Sequence, residues 1–482
     1  MVFRSLTYRR ETPPGEVIVQ HEELVTRLAE AGQEHVLAFW DKLTIDQQSR
    51  LAAQLEAIDF ELIKQLVQGE DAAPDWAVLA TRAQPPRAIR RDSPDNEFSP
   101  EEAVARGEQA LRDGHLGLIL VAGGQGTRLG FDPPKGMFPL GPISKRTLFQ
   151  ILIERLRAVA RRYGVSIPMY LMTSPATHDD TIAFLAEHDR FGLRENELRV
   201  FCQGVMPAVD ARTGKLLLAE CDSLALGPDG HGGTLAAFVK EGCMADAAQR
   251  NIEHLFYCHI DNPLAQICDP QLIGYHLLAS SDMTTQAVKK RAADERVGNI
   301  VTIDGVTQII EYIDLPAEYG KQIQQDGSLK LWAGSIGVHA FRRSFLERAA
   351  SQENSLPFHR ALKAVPYIHA DGTQVKPESP NAIKFERFIF DLLPLAANAI
   401  VVEVNPGDAF APVKNADGDP TDTPSTAKAA MLARDAKLLC DAGAMIAEGV
   451  VVEVSPLWAL DSTEAATKLT DGHEITETTY FK

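Results

Sequence analysis

Apolar residues in the middle of the chain fall into short continuous runs, which polar or glycine-rich segments separate. Runs this short are typical of strands buried in a sheet. Five of them predict strands, at residues 117–121, 168–173, 198–201, 255–260 and 399–404. Between the first two runs, leucines recur at helical spacing from Leu148 to Leu156 and predict a helix. Strands alternating with helices from about residue 115 to 405 predict an α/β fold, with a mainly parallel sheet and helices on both faces.

The N-terminal part of the chain has a different pattern. Residues 17–70 follow helical periodicity, and Thr44 with Gln47 matches a capping box at a helix start. Residues 84–100 contain four prolines and three arginines and predict a surface linker whose arginines are mostly solvated. Ser99 followed by a proline and two glutamates predicts the next helix start.

After about residue 406 the pattern changes again. Residues 415–428 are rich in turn formers and predict a polar loop. A short helix and the apolar run 449–454 then predict a small C-terminal α/β subdomain. We therefore expect three parts: a helical N-terminal region with a linker at 1–100, a catalytic domain at 101–405 and a C-terminal subdomain at 406–482.

Length and charge narrow the classes of function. A chain of 482 residues with 45% hydrophobic content is long enough for two or three domains. Its net charge of −18 disfavours a general nucleic-acid-binding role, because such a surface repels phosphate backbones. One local phosphate site remains compatible with that charge.

The cysteines and the chain start favour a cytoplasmic protein. Six cysteines are scattered without a CxxC pair, which disfavours a zinc site and suits reduced thiols. The first residues, MVFRSLTYRRETPPGE, lack the apolar core of a signal peptide. Since no run of about 18 apolar residues occurs, we expect no membrane span.

The most informative segment is 118–150, LILVAGGQGTRLGFDPPKGMFPLGPISKRTLFQ. Its glycines let backbone N–H groups approach an anion, while Arg128 and Lys135 supply charge for phosphate oxygens. The spacing fits neither a Walker A loop nor the dinucleotide-binding fingerprint. Taken alone, the glycines could also mark an ordinary strand-to-helix turn. Asp261 likewise follows a predicted strand, so both features fall on the edge where parallel strands end.

The full string GGxGTRLGxxxPKGM resembles the signature of sugar-1-phosphate nucleotidyltransferases, in the form found in UDP-sugar pyrophosphorylases. Five further segments resemble the same family, at residues 201–207, 227–233, 257–263, 383–391 and 410–416. They occur in the family's order, and the most similar branch is that of the UDP-N-acetylhexosamine pyrophosphorylases. The resemblance runs from about residue 100 to 460 and implies a Rossmann-like nucleotidyltransferase core.

The resemblance implies that UTP and a sugar 1-phosphate react to give a UDP-sugar and pyrophosphate. The attacking phosphate oxygen is already an anion, so the protein must mainly hold like charges together and stabilise the leaving group. By resemblance, Arg128 and Lys135 serve the α-phosphate and the pyrophosphate, and Lys384 approaches the phosphates from the opposite side. Lys414 is expected to reach the sugar phosphate. A solvated surface lysine is the structural alternative for each of the three lysines.

Further residues are assigned to the nucleotide and its metal by the same resemblance. Asp261 is expected to bind Mg²⁺, which takes few carboxylates together with phosphate oxygens and water. Its structural alternative is to cap the following turn. The remaining positions are expected to contact the nucleotide, the first two at the uracil and the others through their backbones: Gln203, Gly230, Ala122, Gly123 and Gly124.

The sugar side matches the branch less well. His231 and Ser335 stand where the acetylhexosamine branch has asparagine, and histidine between two glycines is more similar to UDP-glucose pyrophosphorylases. The other sugar positions match the branch: Gly298, Glu311, Phe388 and Phe390. A lost polar partner in a closed pocket can change selectivity strongly. The predicted acceptor is therefore N-acetylglucosamine 1-phosphate or glucose 1-phosphate.

Two other classes of function compete with the transferase. The departures at His231 and Ser335 would suit a non-catalytic nucleotide-sugar sensor on the same fold. Against it argue four residues that a pure binder would not need together: Arg128, Lys135, Asp261 and Lys384. A kinase or NTPase is disfavoured because the Walker lysine-serine pair is absent. The expected partners are UTP or UDP-sugar and sugar 1-phosphate, without nucleic acid or membrane.

Overall fold

The computed structural model describes residues 14–69, 76–91, 93–352, 355–470 and 472–482, with side chains from residue 21 onwards. The prediction that the first residues form no signal peptide falls largely on residues 1–13, which lie outside the described residues. The described residues form two compact units, each built from separated segments of the chain. The smaller unit draws on Met1–Ala73, Val205–Gly230 and Pro357–Phe388, and the larger unit on Pro74–Gly204, His231–Leu356 and Ile389–Lys482.

A ten-stranded sheet forms the centre of the larger unit. Its strands, labelled in chain order, are β1 (Ala88–Ile89), β2 (Leu116–Val121), β3 (Met169–Thr173), β4 (Leu198–Cys202), β5 (His254–His259), β6 (Met283–Lys289), β7 (Asn299–Ile303), β8 (Val306–Ile310), β9 (Ala333–Arg342) and β10 (Ala399–Glu403). Their spatial order is β1-β10-β6-β9-β5-β2-β3-β4, while β7 pairs with β8 and with β9.

Most strands of this sheet run in one direction. The pairs β1–β10, β10–β6, β5–β2, β2–β3 and β3–β4 are parallel. One antiparallel strand, β9, is inserted between β5 and β6, where His339 lies opposite both Tyr257 and Thr285. The carboxyl ends of seven parallel strands and the first residues of β9 therefore lie along one edge.

Helices cover the sheet because its strands are apolar on both faces. Leu118 and Ile119 of β2 point to opposite faces and are both almost fully buried. The helices of the larger unit are Trp76–Ala80, Pro100–Arg112, Leu148–Tyr163, His178–Glu187, Gly233–Lys240, Cys243–Gln249, Pro270–Leu278, Ala317–Gly320, Arg343–Ala350, Pro406–Ala409, Pro424–Asp441 and Ser462–Ala466. The predicted α/β class with a mainly parallel sheet is confirmed.

Two helices of the larger unit pack unusually closely. The helix Pro100–Arg112 begins at the predicted Ser99 cap, whose side chain accepts from the backbone of Glu102. A Cβ added to Gly274, on the helix Pro270–Leu278, would lie 1.6 Å from the carbonyl oxygen of Ala103. Glycine is therefore required where these helices touch.

The smaller unit begins with the helices Pro14–Glu30, Ile45–Glu56 and Phe60–Gln68, and the predicted Thr44–Gln47 capping box is present. Its three-stranded sheet pairs Ala382–Glu386 with His359–Lys363 and with Val209–Asp210. Three strand pairs complete it: Val205–Pro207 with Leu226–Pro228, Leu218–Glu220 with Ser223–Leu224, and Tyr367–Ile368 with Gln374–Val375. Leucines of the helices share one apolar core with Val209, Ile383 and Phe385.

The C-terminal residues belong to the larger unit. The strands Val452–Val454 and Thr479–Phe481 pair in parallel, as do Met445–Ile446 and Glu474–Ile475. The buried carboxylate of Glu453 accepts hydrogen bonds from the backbone N–H groups of Ile143 and Ser144, at 2.6 and 2.7 Å. This contact fixes the C-terminal strands to the loop that follows the glycine-rich segment.

The predicted linker at 84–100 is more ordered than its composition indicates. Ala88 and Ile89 form β1, and the guanidinium of Arg90 pairs with Glu403 at 2.5 Å. The same guanidinium lies over the ring of Trp332, 3.7 Å from its centroid. Arg90 is thus part of the sheet edge rather than of a solvated patch. None of the helices in the described ranges is long and apolar enough to cross a membrane.

Candidate active site

The glycine-rich loop starts where β2 ends and folds back on itself. The Ala122 N–H donates to the carbonyl of Met172 at 2.7 Å, which continues the β2–β3 ladder by one residue. Further along the loop, the Lys135 N–H donates to the carbonyl of Gly124 at 3.0 Å. This bond returns Lys135 to the carboxyl end of β2, beside the first glycines.

The glycines of this loop have different physical roles. A Cβ on Gly126 would lie 2.5 Å from the carbonyl oxygen of Phe131, and Gly130 has a φ of +67° that favours glycine. Gly124 is exposed, and a Cβ there would meet nothing within 4 Å. Gly126 and Gly130 therefore shape the turn, whereas Gly124 leaves its backbone open to a ligand.

Three other predicted site residues act electrostatically on Lys135. Burial lowers the pKa of Lys135, the carboxylate of Asp261 raises it, and the charges of Arg128 and Lys414 lower it further. The carbonyl of Asp261 accepts a hydrogen bond from the N–H of Val413 at 2.8 Å, which places Lys414 next to the end of β5. The structure thus gathers three cations around one carboxylate, an arrangement that suits several phosphate groups.

Asp422 also belongs to this cluster, although the sequence did not single it out. Its carbonyl accepts a hydrogen bond from the N–H of Lys414 at 2.7 Å. Burial raises the pKa of its carboxyl, whereas the positive charge of Lys414 lowers it. Asp422 lies in the polar stretch predicted as a loop, where an aspartate is expected in any case, so no signal separated it from its neighbours.

Gln203 lies beside the glycine-rich loop. It follows β4, is 7% exposed, and its N–H donates to the carbonyl of Thr173 at 2.9 Å. A Cβ on Gly123 would lie 3.2 Å from the side-chain oxygen of Gln203. The amide is therefore close to Gly123, where one donor and one acceptor are available to the edge of a base.

His231 is held in a cluster of rings. Its ring centroid lies 5.1 Å from that of His259 and 5.6 Å from that of Phe390. Its Nδ1 accepts a hydrogen bond from the N–H of Ile389 at 3.2 Å, so a neutral ring carries its proton on Nε2. His231 is accordingly an ordered side chain.

His259 was missed as a site residue. Its Nε2 lies 3.1 Å from the hydroxyl of Tyr257. Burial lowers the pKa of His259, Asp261 raises it, and Lys414 and Lys135 lower it. Its position at the end of β5, two residues before Asp261, was the available signal.

The predicted sugar residues Gly298, Glu311 and Ser335 lie together near the start of β9. The Ser335 N–H donates to the carbonyl of Gly298 at 2.8 Å. A Cβ on Gly298 would lie 3.1 Å from a carboxylate oxygen of Glu311 and 3.8 Å from the Cβ of Ser335. Any larger residue at 298 would therefore fill the space between the carboxylate and the hydroxyl.

Three predicted residues belong to the smaller unit. Gly230 has a φ of +82°, and a Cβ there would lie 2.4 Å from the carbonyl oxygen of Arg387. A Cβ on Gly227 would lie 3.4 Å from the Nζ of Lys384. The ring of Phe388 packs against that of His359, with centroids 4.5 Å apart. The ligand contacts expected of Gly230, Lys384 and Phe388 stay predictions.

The acidic groups fit a metal that arrives with a nucleotide rather than a fully protein-bound ion. Within the described ranges, no group of three or more histidines, cysteines, aspartates or glutamates could hold a metal ion. Asp261 offers a single carboxylate beside the cationic cluster. One carboxylate is enough for Mg²⁺ when substrate phosphates and water supply the other ligands.

Comparisons with known proteins show what the chain is similar to. A family model described as UTP–glucose-1-phosphate uridylyltransferase matches residues 83–448. The UDP-N-acetylglucosamine pyrophosphorylase of Saccharomyces cerevisiae is 36% identical over 448 residues, which cover 88% of this chain and 92% of that protein. The UDP-N-acetylhexosamine pyrophosphorylase-like protein 1 of Mus musculus is 36% identical over 436 residues, covering 87% of this chain and 85% of that protein.

A solved structure has the same fold. The uridine diphosphate N-acetylglucosamine pyrophosphorylase from Trypanosoma brucei, in complex with an inhibitor, is similar with a TM-score of 0.80 and 25% identity over 93% of this chain and 94% of that chain. None of these three names describes a non-catalytic sensor, so they give the sensor hypothesis no support. The predicted resemblance and the nucleotidyltransferase class are confirmed, and the chain belongs to the UTP–glucose-1-phosphate uridylyltransferase family.

Proposed function

We propose that this protein transfers the uridylyl group of UTP to N-acetylglucosamine 1-phosphate, giving UDP-N-acetylglucosamine and pyrophosphate. The observation that carries the proposal is the cluster of Arg128, Lys135, Asp261 and Lys414, which lies where β2 and β5 end. The choice of sugar is supported by the relatives from yeast and Trypanosoma brucei, whose names specify N-acetylglucosamine. Six free cysteines support a cytoplasmic location.

The cationic cluster addresses the main difficulty of the reaction, which is the repulsion between two polyphosphate substrates. The sugar phosphate oxygen attacks the α-phosphorus of UTP, a new P–O bond forms, and the bond to the β-phosphate breaks. Arg128 and Lys135 neutralise the charge that grows on the leaving pyrophosphate. Lys414 neutralises the sugar phosphate, and Lys384 binds the phosphates as a further cation. No general base is required, because the nucleophile is already ionised.

Asp261 would hold Mg²⁺ in this proposal. When bound, the ion neutralises phosphate charge and orients the triphosphate. Asp261 suits this role because its carboxylate is close enough to Lys135 to act on it, beside the cations that the proposal assigns to the phosphates. Before substrates arrive, the carboxylate also offsets part of the repulsion that Arg128 and Lys414 exert on Lys135.

The nucleotide is recognised by backbone and amide groups. Gln203 binds the edge of uracil through its amide. Gly230 offers its backbone to the base, in a positive-φ conformation that packs its Cα against Arg387. Gly123 and Gly124, with Ala122 before them, present backbone atoms to the nucleotide. Gly124 is the most accessible of the three.

The sugar is recognised near the start of β9 and at the ring cluster. Glu311 accepts hydrogen bonds from sugar hydroxyls, and Gly298 leaves the space between Glu311 and Ser335 open. Phe390 packs against His231, and with Phe388 it supplies apolar surface for an acetyl methyl group. His231 presents a ring edge where the acetylhexosamine branch has an amide. Among the proposed sugar contacts, this one should therefore alter the enzyme's selectivity between sugars most.

A panel of acceptors tests the proposal. The purified protein is given UTP, Mg²⁺ and one sugar 1-phosphate at a time: N-acetylglucosamine, N-acetylgalactosamine, glucose or galactose. Pyrophosphate release is measured, and we expect the highest kcat/KM with N-acetylglucosamine 1-phosphate. Ser335→Asn should raise that preference over glucose 1-phosphate by about tenfold, the effect of one added polar contact of about 1.4 kcal/mol. A preference for glucose 1-phosphate would correct the sugar, and no turnover with any of the four would refute the activity.

A further inference from the structure

The larger unit contains a second cleft along the edge where its parallel strands end. The cleft has a volume of about 780 Å³ and lies at the carboxyl ends of β1, β10 and β6. In the strand order, β9 separates these three strands from β5 and β2, which carry Asp261 and the glycine-rich loop. The side chains that line it and matter here are Arg90, Arg91, Lys289, Lys290, Arg291 and Glu403.

Positive charge is concentrated in this cleft. Arg90 is neutralised by Glu403, and Arg291 by Glu295. Within the part of the chain that the structure describes, Arg91, Lys289 and Lys290 form no ion pair, since the salt bridges found there involve other cations. Three cations without a direct ion pair thus lie in one cleft of a chain whose net charge is −18, while the carboxylates of Glu295 and Asp326 act on Lys290 and Lys289 from a longer distance.

Lys290 is the most unusual of these cations. It is 5% exposed and its ammonium donates to the side-chain oxygen of Asn299, a neutral partner. A buried ammonium is costly to desolvate, and an amide oxygen compensates this only in part. The carboxylate of Glu295 compensates a further part, and an anion that enters the cleft can compensate more.

We propose that this cleft binds a phosphorylated small molecule with at least two negative charges, separately from the substrates of the active site. Guanidinium and ammonium groups are the side chains that bind phosphate oxygens most strongly. The volume lies in the range of sites for small molecules. The acidic surface disfavours a nucleic acid as the occupant, because the positive charge is confined to one concave site.

Contacts of the cleft lead towards the sugar residues. Lys290 donates to Asn299, which directly follows Gly298 in the chain. The N–H of Lys290 also donates to the carbonyl of Trp332, three residues before Ser335. A ligand that draws the ammonium away from Asn299 would therefore alter the KM for sugar 1-phosphate, a consequence that rests on the proposed function.

Calorimetry with the full-length protein tests the binding site. The active site is first saturated with UDP-N-acetylglucosamine, and fructose 1,6-bisphosphate, tripolyphosphate and inorganic phosphate are then titrated separately. We expect at least one polyanion to bind, with an affinity that falls as salt rises. The double variant Arg91→Glu, Lys289→Glu changes two exposed side chains and should weaken binding at least tenfold.

Lys240→Glu is the matched control, because Lys240 is exposed in the same unit but outside the cleft. It should leave the affinity unchanged. The cleft assignment is overturned if none of the three anions binds, if the double variant binds as tightly as the parent, or if Lys240→Glu weakens binding equally. A short RNA that binds in place of the anions would overturn it too.

Trp332 provides a second readout that needs no turnover. Its ring lies under the guanidinium of Arg90, which itself lines the cleft, so a ligand that binds Arg90 should change the fluorescence of Trp332. Trp332→Phe should abolish that change while the calorimetric affinity persists. If the protein lacked the proposed activity, both binding experiments would still decide whether the cleft is a site. An unchanged KM for sugar 1-phosphate with the anion bound would refute the coupling.

Discussion

Replacing Lys135 should have opposite effects on catalysis and on stability, so one variant can distinguish a catalytic role from a structural one. Lys135→Met removes the ammonium and keeps the length and volume of the side chain. In the structure this ammonium lies among Asp261, Arg128 and Lys414, and burial lowers its pKa from the ordinary value of 10.5. The substitution therefore removes a charge that the fold does not require.

The size of the catalytic effect follows from Coulomb's law. A charge pair at about 4 Å is worth about 4 kcal/mol at an effective dielectric constant of about 20. Arg128 and Lys414 remain in the variant and still stabilise part of the negative charge in the transition state. We therefore expect a loss of about 3 kcal/mol in transition-state stabilisation, which is about a hundredfold in kcat.

The stability effect has the opposite sign. Because the folded state lowers the pKa of Lys135, it binds this proton less strongly than the unfolded chain does. Below the lowered pKa the charged ammonium thus opposes folding, and the penalty shrinks as pH rises above the folded pKa until it is gone above the ordinary value of 10.5. Lys135→Met should consequently melt at the same temperature as the parent or slightly higher.

Steady-state kinetics and thermal unfolding of the same samples test the expected fall in kcat and the expected unchanged or higher Tm. Pyrophosphate release gives kcat and KM, calorimetry gives the affinity for UTP, and Lys240→Met is the exposed-lysine control. In the parent, kcat/KM should begin to fall below pH 10.5, because the pKa of Lys135 is lowered. Lys135→Arg keeps the positive charge at higher pH and should move this fall to higher pH. An unchanged kcat in Lys135→Met would remove this residue from the mechanism, and a large fall in Tm would show that its role is structural.

Three further substitutions have defined outcomes. Gln203→Ala should raise the KM for UTP about tenfold with little change in kcat, since the amide binds ground state and transition state alike. Gly230→Ala places a methyl group 2.4 Å from the carbonyl oxygen of Arg387, and calorimetry should show at least a tenfold loss of affinity for UDP. Gly274→Ala places one 1.6 Å from the carbonyl oxygen of Ala103. It should cost about 3 kcal/mol or more and lower Tm by about 6–12 °C.

Matched glycines provide the controls. Gly443 has a positive φ of +91°, similar to that of Gly230, but a Cβ there would meet nothing within 4 Å. Gly443→Ala should therefore leave the affinity for UDP unchanged. Gly407→Ala has its nearest neighbour at 3.7 Å and should leave Tm nearly unchanged. Equal losses in variant and control would show that the close contact is irrelevant. For Gln203, a fall in kcat matching the rise in KM would assign the amide to the transition state.

A strand whose burial is purely apolar was easy to predict from the sequence. β2 reads LGLILV and is buried along nearly its whole length, so its run of leucines identifies it. β6 is also a buried strand, but it reads MTTQAVK and was not predicted. Thr284 of β6 contacts His276, which in turn contacts His254 of β5, at 2.9 and 3.1 Å. A buried polar network of this kind satisfies its own hydrogen bonds while removing the apolar signal from the sequence.

Other elements were missed because they are too short or too interrupted to form a pattern. β1 has two residues and lies between proline-rich segments, so nothing in its composition distinguishes it from a linker. β9 contains two glycines, one of which, Gly337, has a φ of +67°. Periodicity requires several consecutive residues, and tertiary pairing with β10 or with β5 and β6 stabilises these strands instead.

The two halves of the candidate site differ in how they are encoded, and this explains why the nucleotide was easier to predict than the sugar. Apart from Gly230 in the smaller unit, the nucleotide half lies on loops that directly follow parallel strands, so a motif such as Gly123 to Lys135 is continuous in the chain. The sugar half joins Gly298 before β7, Glu311 after β8 and Ser335 in β9. These three meet only because the hairpin β7–β8 pairs with the antiparallel strand β9, which had no sequence signal. Selectivity for the sugar therefore depends on strand pairing. The effect of a substitution such as Ser335→Asn is set by the neighbours that this pairing brings to residue 335, and a sequence motif does not show them.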